Sequence, residues 1–293
     1  MRMTWVDSIF IAGRVRGGVH DFGILVHTLA FPNADQCKLF ISITDTTAGW
    51  YRNYAAVIPK NKYSWSRKGL HIAMPGLTWT GSAQRMQLRA TTPWGSLDAR
   101  FIPTGPVLNY SGNGLIGLLG DVNYEYAFPM MRTVGTLAVR GRTHHASGVS
   151  WLDRQWGPLP LMDPSMRWTW MNIALSGGDQ LALWDILDSR AQNAWVTVLR
   201  TDGSYEVAAV RPLAGGASRF WTSRVTNKTY PTRWRIDIPA LGARLDVVVT
   251  GPRGQEFPDG HVEATAAVSG RYKGRRVTGS TYIEMTGDWK APR

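Results

Sequence analysis

The sequence predicts an all-β fold built as two antiparallel β-domains. Three observations carry this: a period-two apolar pattern, glycine-bearing turn signals between the apolar runs, and an internal echo between the middle and the end of the chain. In chain order, KLFISIT (38–44) is the first β-rich run. RWTWMNIAL (167–175) then puts Trp168, Trp170, Asn172 and Ala174 on one face and Met171, Ile173 and Leu175 on the other, the alternation of a strand. QLALWDIL (180–187), NAWVTVL (193–199) and RLDVVV (244–249) repeat it, and SGGD (176–179), TDG (201–203) and GPRG (251–254) punctuate it as turns. No segment longer than about three turns shows a helical period. Many short strands with hairpin punctuation predict antiparallel sandwiches or barrels.

The echo sets the domain count. VGTLAVRGRTHHASGVSWLD (134–153) and AAVSGRYKGRRVTGSTYIE (266–284) are both glycine-punctuated hairpins ending on a carboxylate. Gly148 and Gly279 each stand three residues before an aromatic, Trp151 or Tyr282, and five before an acid, Asp153 or Glu284. Duplicated β-domains, each closed by an equivalent strand, explain this. The three prolines of GPLPLMDPS (157–165) place the boundary, giving domains 1–160 and 161–293.

Composition narrows the function classes. The 293 residues are 44% hydrophobic and 18% charged, which is ordinary for a folded protein. Fourteen tryptophans are not ordinary, and they suit either a pocket for a bulky apolar ligand or an aromatic barrel core. The net charge of +12 is scattered, its densest cluster being the hairpin RYKGRR (271–276), so no nucleic-acid partner is expected and at most peripheral membrane contact. With Cys37 as the single cysteine there is no intramolecular disulfide, and Asp7 interrupts what would be a signal-peptide core, so a cytoplasmic protein is expected. GNGLIG (112–117) lacks the βαβ context of a dinucleotide site. His144 and His145 point to opposite faces of a strand, and the other histidines read as isolated, so no metal site is expected. Neither a nucleophile elbow nor any cofactor signal is present, which leaves cofactor-free chemistry or plain binding.

Several motifs together carry a family resemblance. The strand beginning at Trp5, SITD (42–45), YEYAFP (124–129), GVSWLDRQWG (148–157), the WTW pair at 168–170 and GSTYIEMTG (279–287) resemble the carotenoid 1,2-hydratase (hydroxyneurosporene synthase) family over nearly the whole chain. More distantly they resemble the decalin-forming Diels–Alderases. The resemblance implies two lipocalin-like antiparallel β-barrel domains packed together, acting on a hydrophobic polyene. The family has histidine after the aspartate of W-x-D-x-x-W-G, whereas here it is Arg154, so a proton relay through that histidine is not carried over.

The residues themselves support three functions. On a strand, Trp151, Asp153 and Gln155 share one face and Leu152, Arg154 and Trp156 the other. An inward Asp153 beside an indole would be desolvated and kept neutral, able to protonate an alkene. Indole faces would steady the cation by about 2 kcal/mol. A cyclase needs less of any one group, since orientation of a folded polyene contributes up to ~7–11 kcal/mol. The expected catalytic residues are Asp153, Gln155 and Tyr126. The expected substrate-binding residues are Trp151, Trp156, Tyr124, Trp168, Trp170, Trp184 and Glu284. The same residues also read as core packing, and Asp153 and Glu284 as hydrogen-bonded structural closures. A cofactor-free cyclase of natural-product biosynthesis, with [4+2] cycloaddition among its routes, is the leading expectation. Hydration of an isoprenoid double bond and a non-catalytic lipocalin-type carrier are the alternatives.

Overall fold

The computed structural model describes residues 4–66, 68–118, 121–159 and 165–290. The expected boundary at 157–165 falls largely on 160–164, outside the described residues. The chain divides into two compact units, the first comprising Met1–Leu108 and Tyr124–Leu159, the second Asn109–Asn123 and Pro160–Arg293. Among the described residues, helix is limited to short 3-10 turns, and no helix is long and apolar enough to cross a membrane.

The first half of the chain supplies β1 (Thr4–Gly17), β2 (His20–Phe31), β3 (Gln36–Asp45), β4 (Trp50–Pro59), β5 (Ser64–Trp65), β6 (Leu70–Met74), β7 (Leu77–Ser82), β8 (Arg85–Thr92) and β9 (Gly95–Pro103). Short β10 (Leu108–Asn109) and β11 (Leu115–Leu118) precede the two long strands β12 (Asp121–Val139) and β13 (Arg142–Leu159). They form a curled antiparallel sheet in the order β4-β3-β2-β1-β13-β12-β9-β8-β7-β6-β5. Its core face buries Ile9, Leu39, Trp79, Leu88, Phe101 and Leu152. Each such side chain contributes about 1.5–3 kcal/mol on leaving water.

The second unit holds β14 (Arg167–Leu175), β15 (Gln180–Leu187), β16 (Gln192–Leu199), β17 (Tyr205–Ala209), β18 (Ala217–Ser218), β19 (Trp221–Thr222), β20 (Thr229–Tyr230), β21 (Arg233–Ile238), β22 (Ala243–Val249), β23 (Val262–Tyr272) and β24 (Arg275–Thr286). Its main sheet runs β17-β16-β15-β14-β24-β23-β22-β21-β18, with β19 and β20 paired separately. Met171, Ile173, Leu183, Val196, Trp234 and Ile283 fill its core. The chain is thus all-β, in two curled antiparallel half-barrel sheets.

The sequence echo is a topological equivalence. In each unit the last long strand lies between the first and the next-to-last: β13 pairs with β1 and β12, and β24 with β14 and β23. Each is entered by a two-residue turn with both residues at positive φ, Arg140–Gly141 (54° and 72°) and Lys273–Gly274 (50° and 76°). This turn twists in the sense of the strands it joins. The echoed glycines mark the close approach of two backbones. A Cβ on Gly148 would lie 2.0 Å from the Arg14 carbonyl oxygen, and one on Gly279 2.3 Å from that of Ala174. The GVSWLDRQWG strand therefore fills the middle of its sheet and is no closing seam; the sheet's open edges are β4 and β5.

Candidate active site

Each unit holds a group of side chains with the chemistry of a site. In the first, directly opposed residues of neighbouring strands share a face. Tyr124, Tyr126 and Phe128 of β12 stand opposite Trp156, Arg154 and Leu152 of β13, and Asp7, Ile9 and Ile11 of β1 stand opposite the same three. This is the core face. It opens into a cavity of about 540 Å³ lined by Asp7, Ile9, Trp65, Met86, Tyr126, Phe128, Leu152 and Arg154 among others.

Arg154 is the charged centre of that cavity. It is ion-paired with Asp7, and its Nη1 donates to the carbonyl oxygens of Ser8 and Gln155, each at 3.1 Å. Its guanidinium lies 5.2 Å from the ring of Trp156 and 6.0 Å from that of Trp65. Burial pushes the Tyr126 phenol up while the Arg154 charge opposes, so Tyr126 stays a neutral donor. Further along the face Tyr124, which is exposed, stacks on Trp156 with centroids 5.5 Å apart.

The structure places Trp151, Asp153 and Gln155 on the opposite face of β13, across from Ala12, Phe10 and Ser8 of β1. Trp151 and Asp153 are buried there and Gln155 half-buried, and none of the three lines the cavity. The expected acid beside an indole on the inner face is therefore not what this unit holds. The inner face takes the even-numbered residues of β13, so it carries Arg154 and Leu152 in place of Asp153 and Trp151.

In the second unit the expected residues come together, again on the face turned away from the unit's own core. One cross-strand row over β16, β15, β14, β24 and β23 reads Trp195, Trp184, Trp170, Glu284, Glu263. Trp184 and Trp195 stack with centroids 6.3 Å apart. The indole N–H of Trp170 donates to the Tyr110 hydroxyl at 2.9 Å, and Ser111 donates its backbone N–H to Thr197 Oγ1. Tyr110 and Ser111 thus pack on this face. The Trp168 indole donates to Glu284 Oε1 at 2.9 Å.

His261, just before β23, completes the cluster. It reads as isolated in the sequence, yet its Nε2 lies 2.8 Å from Glu263 Oε1 and 3.7 Å from Glu284 Oε1. Glu263 is fully buried. Burial pushes its carboxyl up to about 8, Glu284 adding to the rise and His261 opposing it. On His261 burial acts downward, but the neighbouring carboxyls outweigh it and push the imidazole up. At neutral pH the cluster therefore retains protons that the same groups would release in water. Such a cluster can give a proton, take one, and pass one across an imidazole.

Sequence reasoning reached Glu284, Trp168, Trp170 and Trp184 but not Glu263, His261 or Asp7. A signal for the first two was present. His261 and Glu263 are two apart, hence on one face of a strand, and counting outward from the turn at 273–274 sets Glu263 opposite Glu284.

Comparison with known proteins bears on what these groups do. The AttH-like family model matches residues 38–288. The chain is 25% identical over 187 residues to kievitone hydratase of Fusarium solani subsp. phaseoli, covering 61% of this chain and 50% of that protein. It is 25% identical over 218 residues to dehydratase asqC of Emericella nidulans, covering 68% and 60%. The chain thus spans only about half of the first of these relatives and three-fifths of the second. Among solved structures, kievitone hydratase from Nectria haematococca superposes with a TM-score of 0.83 at 17% identity, over 96% of this chain and 89% of that one. CghA with Sch210972 does so at 0.65 and 13% identity, over 97% and 89%. At these identities the structural likeness is one of fold.

Proposed function

Because the chain belongs to the AttH-like family, we propose that it is a cofactor-free enzyme of natural-product metabolism that adds water to, or removes it from, a hydrophobic unsaturated substrate. The observation that carries this reading is the Glu263–His261–Glu284 cluster. Hydration and dehydration are one reaction in two directions, and the names of both sequence relatives support it.

In the hydration direction, Glu263, held neutral, protonates the alkene carbon, and the cation forms against the indoles of Trp170 and Trp168. Water adds to the cation, and Glu284, oriented by the Trp168 N–H, accepts the proton that the water loses. The same His261 Nε2 faces both carboxyls. It gives its proton to the spent Glu263 and takes one from Glu284, which resets the site with no net change in protons. Dehydration runs the steps backwards, Glu284 delivering the proton to the departing hydroxyl.

Cyclisation of a folded polyene is the second reading, and the row Trp195–Trp184–Trp170 favours it by setting three indoles in line with the acid. One experiment separates the two. Apolar enones and linear polyenes are incubated with the protein in deuterated water, wild type beside Glu263→Gln and Asp153→Asn. Hydration gives a product heavier by one water with deuterium at carbon, lost in Glu263→Gln by at least ~10²-fold and kept in Asp153→Asn. Its rate falls as pH rises through about 8, where the acid is lost. A product of unchanged formula without deuterium at carbon means a pericyclic reaction and refutes the acid–base reading.

A further inference from the structure

The cavity of the first unit takes no part in that scheme, yet it has the construction of a binding site. Its volume of about 540 Å³ falls within the roughly 300–1,000 Å³ of small-molecule pockets, which are mostly apolar with a few convergent polar groups. Ile9, Met86, Phe128 and Leu152 supply the apolar wall; Asp7 and Tyr126 stand beside Arg154, and Ser66, His71 and Ser82 line the rest. Arg154 is fixed through one nitrogen. The contacts to the carbonyls of Ser8 and Gln155 and to Asp7 all use Nη1. The N–H groups on Nε and Nη2 are engaged by none of these contacts, out of five donors that a guanidinium carries. Two indole rings hold its plane. Tyr126 adds a phenol hydroxyl directly across the strand pair. Asp7 cancels the arginine's charge, so this part of the cavity is polar but electrically neutral.

We propose that this cavity is a second binding site, taking a flat, apolar, uncharged molecule with a single oxygen head, a phenol or conjugated carbonyl. Arg154 and Tyr126 recognise the oxygen, and Asp7 rejects carboxylates by like-charge repulsion. The proposal concerns equilibrium binding and stands whether or not the Glu263 cluster hydrates anything.

The test is calorimetric titration of the full chain with 2-naphthol and with 2-naphthoate at neutral pH, where the first is uncharged and the second an anion of similar shape. One equivalent of 2-naphthol binds, at least ~10-fold more tightly than the naphthoate. Asp7→Asn leaves Arg154 its two carbonyl acceptors but removes the counter-charge. It raises naphthoate affinity about 10-fold and changes naphthol affinity by less than about 3-fold. Ala83→Trp, an exposed position at the cavity wall where folding is not at stake, weakens naphthol by more than ~10-fold. Absence of naphthol binding, a wild type that prefers naphthoate, or naphthol affinity untouched by Ala83→Trp each overturns the proposal. Should Asp7→Asn not fold, the wild-type preference and Ala83→Trp still decide it.

Discussion

Replacing Glu263 by glutamine should make the protein more stable while removing its proposed catalytic acid. In the unfolded chain this carboxyl ionises near 4.5, whereas in the folded protein burial and Glu284 hold it protonated up to about 8. Between those two values the native state binds a proton that the unfolded state has lost, so stability falls as pH rises, by about 1.4 kcal/mol per unit. By neutral pH the wild type has lost roughly 3 kcal/mol from this one group. Glutamine keeps the shape of the neutral acid and does not ionise. The variant should therefore match the wild type near pH 4.5, gain on it steadily, and level off once pH passes about 8. The figure is a ceiling, since His261 loses its contact with Glu263 in the variant. Urea unfolding at unit intervals of pH measures the gap. A variant less stable at every pH, or a gap that does not widen between pH 5 and 8, would refute the assignment of Glu263 as a buried neutral acid.

Two further outcomes follow from the fold. Gly148→Ala should cost about 3 kcal/mol or more, because its Cβ would meet the Arg14 carbonyl oxygen at 2.0 Å and Val15 Cα at 2.8 Å, backbone atoms that cannot step aside. Gly141→Ala meets nothing within 4 Å and should cost only the ~1–2 kcal/mol of a left-handed residue at φ 72°; equal losses in urea unfolding would contradict the close-approach account. Cys37 is fully buried, and its thiol is pushed up to about 12. An aromatic disulfide reagent should find no reactive thiol in the native protein and one after denaturation. Rapid native labelling would contradict its place in the core.

The contrast between the two hairpins shows what the sequence could tell. In the second unit the ladder from Lys273–Gly274 runs without irregularity as far as Val262–Met285. The pairing of Glu263 with Glu284 thus follows from the turn by counting alone. In the first unit the register shifts between Phe128 and Met131, around Pro129, a residue that cannot donate to a ladder. Without this bulge, counting from Arg140–Gly141 would set Tyr126 opposite Gln155, on the face of Asp153. With it, Tyr126 stands opposite Arg154. One extra residue therefore separates the expected catalytic trio and assembles another around Arg154, and hydrophobic alternation does not reveal it. The inner face of β13 was equally hard to read, since Trp151 and Leu152 are both buried and each face looks like a core. Strand segments, turns and the doubled architecture were legible because they rest on local chemistry. The choice of face rests on a bulge and on which apolar side the sheet curls around.

The central position of β13 also bears on how the chain is made. β1 leaves the ribosome long before β13, yet Thr4 pairs with Leu159 and Arg16 with Ser147. At ~5–20 residues per second, roughly seven to thirty seconds separate the emergence of these partners. Throughout that interval β1 presents a bare edge, and β12 presents another as soon as it appears. Unpaired edges of this kind are templates for pairing with other chains. The second unit repeats the arrangement, with β14 waiting for β24. Each sheet closes at its middle only after its last long strand has been synthesised, so a nascent chain stopped before residue 142 would carry its most aggregation-prone surfaces where the finished protein carries its most protected backbone.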